Sequence, residues 1–321
     1  MKRVNIGLLG LGNIGSGTYK ILELNRSHIE QTTGLDIRIK RILEIDTERD
    51  RGFTVAPGVF TQDAEDIFSD PVIDVVIELL GGVEPATSFM VEAMKAGKSV
   101  VTANKAAIAE NYELLTKTAA KSGVLLRFEA SVGGGIPLIG AITDHLCANE
   151  FSELLGILNG TTNYILTKMD EDGRAYEDAL KEAQALGFAE TDPTADVEGY
   201  DACNKLSILM SIVFGKRVRP EDIPTTGITK ITKQDIADAA ADGCVIKLIA
   251  SAFRTEDGVE CFVQPTLLNK EHPLAGVKNE FNALFITGNA VDDLMFYGKG
   301  AGPYPTASAV LGDVIAIVKN L

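Results

Sequence analysis

Asp201 and Lys205 stand four residues apart, the spacing that puts a carboxylate and an ammonium on one face of a helix. They close an acidic stretch that runs from Gly187-Phe188-Ala189-Glu190-Thr191-Asp192-Pro193 through Asp196 and Gly199. Such a cluster suits a ligand carrying an ammonium group, and a lysine among carboxylates can pass a proton to or from an alcohol oxygen. The same spacing also describes a surface ion pair worth only tenths of a kcal/mol, and spacing alone does not choose. Thr102-Ala103-Asn104-Lys105 is a second polar group, at the carboxyl end of a predicted parallel strand, where open α/β sheets bind ligands. A lysine opposes the dipole at the start of a helix, so Lys105 reads as functional. In the segment 129–137, the consecutive glycines Gly133, Gly134 and Gly135 bring backbone close to a ligand or form a hinge. Asn159-Gly160-Thr161-Thr162-Asn163 is a polar strand-to-helix turn in which Thr161 or Thr162 is a candidate cap.

Gly10-Leu11-Gly12-Asn13-Ile14-Gly15 is a GxGxxG motif that follows an apolar strand pattern and opens a helical one. Gly10 permits the tight turn, Gly12 lets backbone approach a pyrophosphate, and Gly15 allows close helix–strand packing. The helix start at Asn13 and Ile14 offers free N–H groups and the positive end of its dipole to the anion. After the second predicted strand, Glu44 or Asp46 is placed to accept a hydrogen bond from a ribose 2′-hydroxyl and to repel a 2′-phosphate. That pattern leans to NAD; Arg41, Arg49 and Arg51 nearby keep NADP open, and both acids also read as solvated loop charges.

Alternating elements carry these groups. Strands are predicted at 4–9, 37–43, 72–80, 99–102 and 124–129, with helices at 14–32, 84–96 and 105–121. Strand–helix alternation predicts a doubly wound parallel α/β sheet of Rossmann type over residues 1–130. The pattern then changes. Helices are predicted at 137–147, 161–169, 176–186 and 199–214 around a strand at 151–158, followed by strands at 245–253, 259–267, 283–287 and 294–297. Strands without intervening helices predict a mainly antiparallel sheet, so residues 131–302 read as an α+β substrate-binding and dimerisation domain. A last helix begins at 303. The length of 321 residues agrees with about two domains.

Thirty Lys and Arg against 45 Asp and Glu give a net charge of −15, which disfavours nucleic-acid and membrane-surface partners. No apolar stretch approaches the roughly 20 residues of a membrane span, and the start lacks a signal-peptide cleavage pattern. The cysteines, Cys147, Cys203, Cys244 and Cys261, form no CxxC pair and read as reduced thiols in the cytoplasm. His28, His145 and His272 show no metal-ligand spacing, so acid–base chemistry falls to lysines and carboxylates.

Taken together, the run from Ala183 through Gly187-Phe188-Ala189-Glu190-Thr191-Asp192-Pro193, Asp196-Val197, Gly199, Asp201 and Lys205 resembles the signature of the homoserine dehydrogenase family. Val101-Thr102-Ala103-Asn104-Lys105-Ala106, the segment 129–137, Gly156-Ile157-Leu158-Asn159-Gly160-Thr161-Thr162-Asn163 and Gly300-Ala301-Gly302 are further family-like blocks, in the family's order. The resemblance implies reversible oxidation of L-homoserine to L-aspartate 4-semialdehyde with NAD or NADP, a step of threonine and methionine biosynthesis. It implies Lys205 as the proton donor and acceptor. Lys105 would orient cofactor and substrate and share the proton chemistry. Glu190, Asp196 and Asp201 would bind substrate. Thr102, Gly187, Glu190 and Gly302 would lie by the cofactor, with helix 303–321 packing back on the first domain. A sodium ion on main-chain oxygens of Glu129, Val132, Gly134 and Ile136 would explain the glycine run. A homodimer or higher homo-oligomer is also implied. The chain stops at Leu321, without the family's frequent regulatory extension, so little inhibition by threonine is expected. The alternatives are another two-domain amino-acid dehydrogenase, such as one acting on aspartate, and a non-enzymatic NAD sensor.

Overall fold

The computed structural model describes residues 1–319, which form two compact units that divide after Gly135 and after Gly300, where the sequence reading divides after 130 and 302. The first unit runs β1 (Lys2–Leu9), α1 (Asn13–Thr33), β2 (Leu35–Leu43), β3 (Phe60–Thr61), α2 (Glu65–Phe68), β4 (Val75–Glu78), α3 (Ala86–Lys95), β5 (Ser99–Thr102), α4 (Lys105–Ser122) and β6 (Leu126–Arg127). Its six strands are parallel, in the order β3-β2-β1-β4-β5-β6. β4 and β5 are buried at every position, as strands covered on both faces must be.

Three expectations change here. The strand predicted at 72–80 shrinks to four residues, because Asp74 interrupts the apolar run and spends its carboxylate on Asn5 N at 2.8 Å. β3 and α2 are too short to carry a periodicity and were not expected. The strand predicted at 124–129 is cut to two residues, because Glu129 begins a 3₁₀ turn whose N–H goes to Asp313 Oδ2 at 2.8 Å.

The second unit contains β7 (Phe151–Ile157), α5 (Gly160–Asp172), α6 (Tyr176–Ala185), α7 (Thr194–Val197), α8 (Tyr200–Val213), α9 (Lys233–Ala241), β8 (Cys244–Thr255), β9 (Gly258–Asn269), β10 (Phe281–Gly288) and β11 (Asp292–Lys299). The sheet is antiparallel, in the order β11-β10-β7-β8-β9, with β7 between β10 and β8. In place of the helix predicted at 137–147 there is a short π-helical turn, Ala141–His145. α9 was not expected, although its capping box of Thr232 and Asp235 is a legible start signal.

Helix α10 (Pro303–Lys319) belongs to the first unit, where Val310, Leu311, Val314, Ile317 and Val318 share one core with Leu22 and Ile29. Each such side chain, fully buried, contributes about 1.5–3 kcal/mol. Gly17 lets it come close, since a Cβ there would meet Pro303 O at 2.7 Å. Positions 320 and 321, included in the helix expected to pack back, lie outside the described residues.

A buried polar knot anchors α5. Lys247 Nζ, on β8, donates to Asn163 Oδ1 at 2.9 Å and Val277 O at 2.7 Å, and Asn163 Nδ2 donates to Asn279 O at 2.9 Å. Burial pushes the Lys247 ammonium from 10.5 down to about 8, against the nearby charge of Asp170. Between about pH 8 and 10.5 the unfolded chain therefore binds more protons at this group, and stability rises with pH across that window. Below it the cost of charging Lys247 is fully present. Lys247→Met should flatten the rise of Tm between pH 8 and 10; an unchanged slope would contradict this.

Candidate active site

The glycine turn closes on itself through absent side chains. Gly10 has φ +92°, and a Cβ there would meet Leu79 O at 2.9 Å. A Cβ on Gly15, buried in the first turn of α1, would meet Gly10 O at 2.2 Å. At Gly12, by contrast, a Cβ would meet nothing within 4 Å. Gly12 is the N-cap of α1 and has no side-chain cap, so the helix start keeps its N–H groups and dipole for a ligand. Exposed Asn13 and half-buried Ile14 follow. Gly12, Asn13, Ser16, Gly17, Lys20 and Arg49 line an open cleft of about 360 Å³, with Pro303 and Tyr304, just after Gly302, also on its wall. An elongated anion fits this cradle.

At the end of β2 the two candidate acids part ways. Glu44 Oε2 accepts from Leu11 N at 2.9 Å and lies 3.3 Å from Arg51 Nη2. Burial raises its pKa, but hydrogen bonds from Leu11 and Asp46 and the Arg51 guanidinium outweigh that and hold the carboxyl below its usual range. Asp46 is exposed and caps Arg49 N, so the solvated-loop reading holds for Asp46 only. Arg51 is committed to Leu11 O at 3.0 Å and Asp46 O at 2.7 Å, and Arg41 to Gly58 O.

At the carboxyl ends of β4 and β5, Thr102 is fully buried and donates to Glu78 Oε2 at 2.6 Å. Asn104 caps α4, accepting from Ala107 N at 3.1 Å, and half-buried Lys105 is the first residue of that helix.

In the second unit, Asp196, Asp201 and Lys205 come together. Asn159 makes this possible. It is the N-cap of α5, where Thr161 or Thr162 was the expected cap, and its Oδ1 accepts from Thr162 N at 2.8 Å. Its Nδ2 donates to Asp196 Oδ1 at 2.7 Å and Asp201 Oδ2 at 2.9 Å. Lys205 Nζ donates to Asp201 Oδ2 at 2.7 Å and to Leu158 O at 2.6 Å. Asp201 and Lys205 are 6% and 7% exposed, so the pair is no surface ion pair. Burial pushes the Asp196 carboxyl up, and neighbouring Asp201 adds to the rise. Two carboxylates against one ammonium leave a net negative cluster, which suits a ligand ammonium. Gly187 takes a left-handed turn, φ +77°, after α6, and Glu190 beyond it is exposed, its main-chain oxygen held by Gln184 Nε2 at 3.0 Å.

Comparison with known proteins decides which chemistry this is. The family model for homoserine dehydrogenase, NAD binding domain, matches residues 10–129, and that for homoserine dehydrogenase matches residues 137–315. The chain belongs to the homoserine dehydrogenase family. The homoserine dehydrogenase of Bacillus subtilis is 44% identical over 321 residues, which cover 100% of this chain and 74% of that one. The crystal structure of a homoserine dehydrogenase from Thiobacillus denitrificans superposes with a TM-score of 0.93 at 42% identity, covering 99% of this chain and 74% of the other. That of Staphylococcus aureus homoserine dehydrogenase at pH 6.5 gives 0.87 at 42%, covering 99% and 77%. The activity is that of an oxidoreductase, a homoserine dehydrogenase with an NAD(P)-binding domain, which sets aside the aspartate-type enzyme and the non-enzymatic sensor. Among the described residues no helix is long and apolar enough to cross a membrane.

Glu129, Val132 and Gly134 lie buried in one short segment, and Gly134 has φ +59°. Main-chain oxygens there are a donor set that suits a hard monovalent cation. Ile136 opens the second unit. Sequence reasoning missed Glu78 and, although it singled out the polar turn at Asn159, missed that Asn159 itself caps α5 and links the two aspartates. Glu78 had a signal, a second acid after Asp74 inside a mostly apolar run; Asn159 sat two residues before Thr161, the first of the threonines chosen as caps.

Proposed function

We propose that the chain oxidises L-homoserine reversibly to L-aspartate 4-semialdehyde with NAD, and that Lys205 carries the proton. The buried Lys205–Asp201 pair carries this reading, because it fixes an ammonium between a carboxylate and Leu158 O at the head of α5. The bound dinucleotide supplies or accepts hydride at its nicotinamide. In the reductive direction negative charge grows on the carbonyl oxygen, and the Lys205 ammonium stabilises it and delivers the proton. In the oxidative direction neutral Lys205 takes the hydroxyl proton. Asp196 and Asp201, with Glu190, hold the substrate's α-ammonium. Lys105 orients cofactor and substrate and shares the proton chemistry. Gly10, Gly12, Asn13, Ile14 and Gly15 cradle the pyrophosphate, and Thr102, Gly187, Glu190 and Gly302 complete the cofactor contacts.

Glu44, held ionised beside Leu11, supports the preference for NAD, since it accepts from a ribose hydroxyl and repels a 2′-phosphate. Purified chain should reduce NAD with homoserine, followed at 340 nm, with kcat/KM at least tenfold above that for NADP. No turnover with either cofactor would sink the functional reading; a preference for NADP would sink only the cofactor assignment.

Sodium on Glu129, Val132, Gly134 and Ile136 should raise Tm relative to choline at equal ionic strength. A homodimer through the second sheet is supported by edge strand β11, where Met295 and Tyr297 are 36% and 53% exposed; sedimentation as a monomer would contradict it. Free Cys147, Cys203, Cys244 and Cys261 suit the reducing cytoplasm, and cell fractionation checks that.

A further inference from the structure

The carboxyl ends of β1, β4 and β5 meet around one buried acid. Glu78 has no solvent exposure, although it stands at the ligand-binding edge of an open parallel sheet. Its Oε1 accepts from Leu80 N at 2.8 Å and its Oε2 from the Thr102 hydroxyl at 2.6 Å. That hydroxyl in turn accepts from Asn104 N at 2.9 Å. Asn104 spans to the other turn, its Nδ2 donating to Gly82 O at 2.6 Å while its Oδ1 caps α4. Two backbone turns are therefore tied to one carboxylate. One is the turn from Leu79 to Gly82, in which Gly81 and Gly82 have φ +80° and +70°; the other is the turn from Thr102 to Lys105.

The first of these turns also touches the glycine cradle. Leu79 N donates to Leu9 O at 2.9 Å, and Leu79 O lies 2.9 Å from where a Cβ on Gly10 would be. A dinucleotide crosses such a sheet at the switch between β1 and β4. Glu44 marks the adenosine side at β2, so the nicotinamide half lies over the ends of β4 and β5. Burial pushes the Glu78 carboxyl up, against the hydrogen bonds from Thr102 and Leu80 N. A carboxylate in such a place is costly to desolvate, and a hydrophobic residue would extend the apolar run of β4 more cheaply.

We infer that Glu78 is a positioning residue for dinucleotide binding: through Thr102 and Asn104 it sets the two turns that flank the nicotinamide half of the cradle and the start of the helix bearing Lys105. This rests on the reading that the cradle holds the dinucleotide. Glu78→Gln keeps the size of the side chain but turns an amide N–H toward one of its two donors. Thr102→Val removes the same bond from the other end.

The test titrates NADH by its own fluorescence, unobscured by tryptophan, which the chain lacks. In folded Glu78→Gln and Thr102→Val the Kd for NADH should rise at least fivefold, with KM for homoserine within twofold of wild type. The double variant should bind within twofold of the weaker single one, because both changes break one link. A structural role alone would lower Tm and the active fraction but leave the Kd of the folded fraction unchanged. Kd within twofold of wild type in both variants, or losses that multiply in the double, overturns the inference. Should Glu78→Gln fail to fold, Glu78→Asp, which withdraws the acid from the Thr102 hydroxyl and leaves Thr102 itself in place, decides by the same Kd threshold. A wild type that binds NADH without oxidising homoserine sinks the functional reading instead and leaves Glu78 tested.

Discussion

Lys205→Ala lowers kcat for homoserine oxidation by about 10²–10⁴-fold, the usual worth of a positioned general acid and base. KM for homoserine changes by only a few fold, since Asp196, Asp201 and Glu190 remain to hold the ammonium. The variant also loses stability. Asp201 is left as a buried carboxylate without its 2.7 Å partner, and breaking a buried pair from one side costs about 3–5 kcal/mol. Kinetics must therefore be taken well below the Tm of the variant, with NADH binding as the check that the first unit is intact. Restored turnover with small added amines would confirm that a proton carrier is what was removed. Turnover within tenfold of wild type in a folded Lys205→Ala takes Lys205 out of the proton's path, whatever the family of the chain.

Gly12→Ala and Gly15→Ala should separate ligand contact from packing within one motif. Gly12 has φ −71°, which any residue adopts, and its added methyl meets no protein atom within 4 Å. The fold should lose about 1 kcal/mol or less, the difference between Gly and Ala at an N-cap. The methyl instead enters the cleft where the pyrophosphate approaches, so the Kd for NADH should rise at least tenfold. Gly15→Ala drives a methyl to 2.2 Å from Gly10 O. Gly10 cannot yield, being itself locked at φ +92° against Leu79 O. Overpacking of this kind costs about 1–3 kcal/mol or more, so Tm and affinity fall together. Calorimetry beside NADH titration reads both. Unchanged affinity in Gly12→Ala would mean that no ligand backbone comes close to that glycine.

The contrast between those glycines shows where local information ends. The motif and its strand–helix setting were legible because each signal spans a few residues: period-2 and period-3.6 patterns, a glycine turn, an i,i+4 pair. Asp201 and Lys205 share a helix face for that reason, and α10 matched its predicted start. Short pieces such as β3, α2 and α7 carry no period and left no trace. The same holds for partners far apart in sequence.

The chain alone determined the family resemblance, the parallel and antiparallel sheets and most of the residues proposed for chemistry, because these depend on residue type and short spacing. Only the tertiary structure decided which partners those residues take. Asn159 joins Asp196 and Asp201 across 37 and 42 positions, Thr102 reaches Glu78 across 24, and Leu11 selects Glu44 over Asp46 across 33. The Leu11–Glu44 and Thr102–Glu78 pairings depend on which strands lie side by side, β1 beside β2 and β4 beside β5, and Asn159, the cap of α5, reaches residues of α7 and α8. Strand order follows from burying every apolar face at once, and no window along the chain contains that global condition.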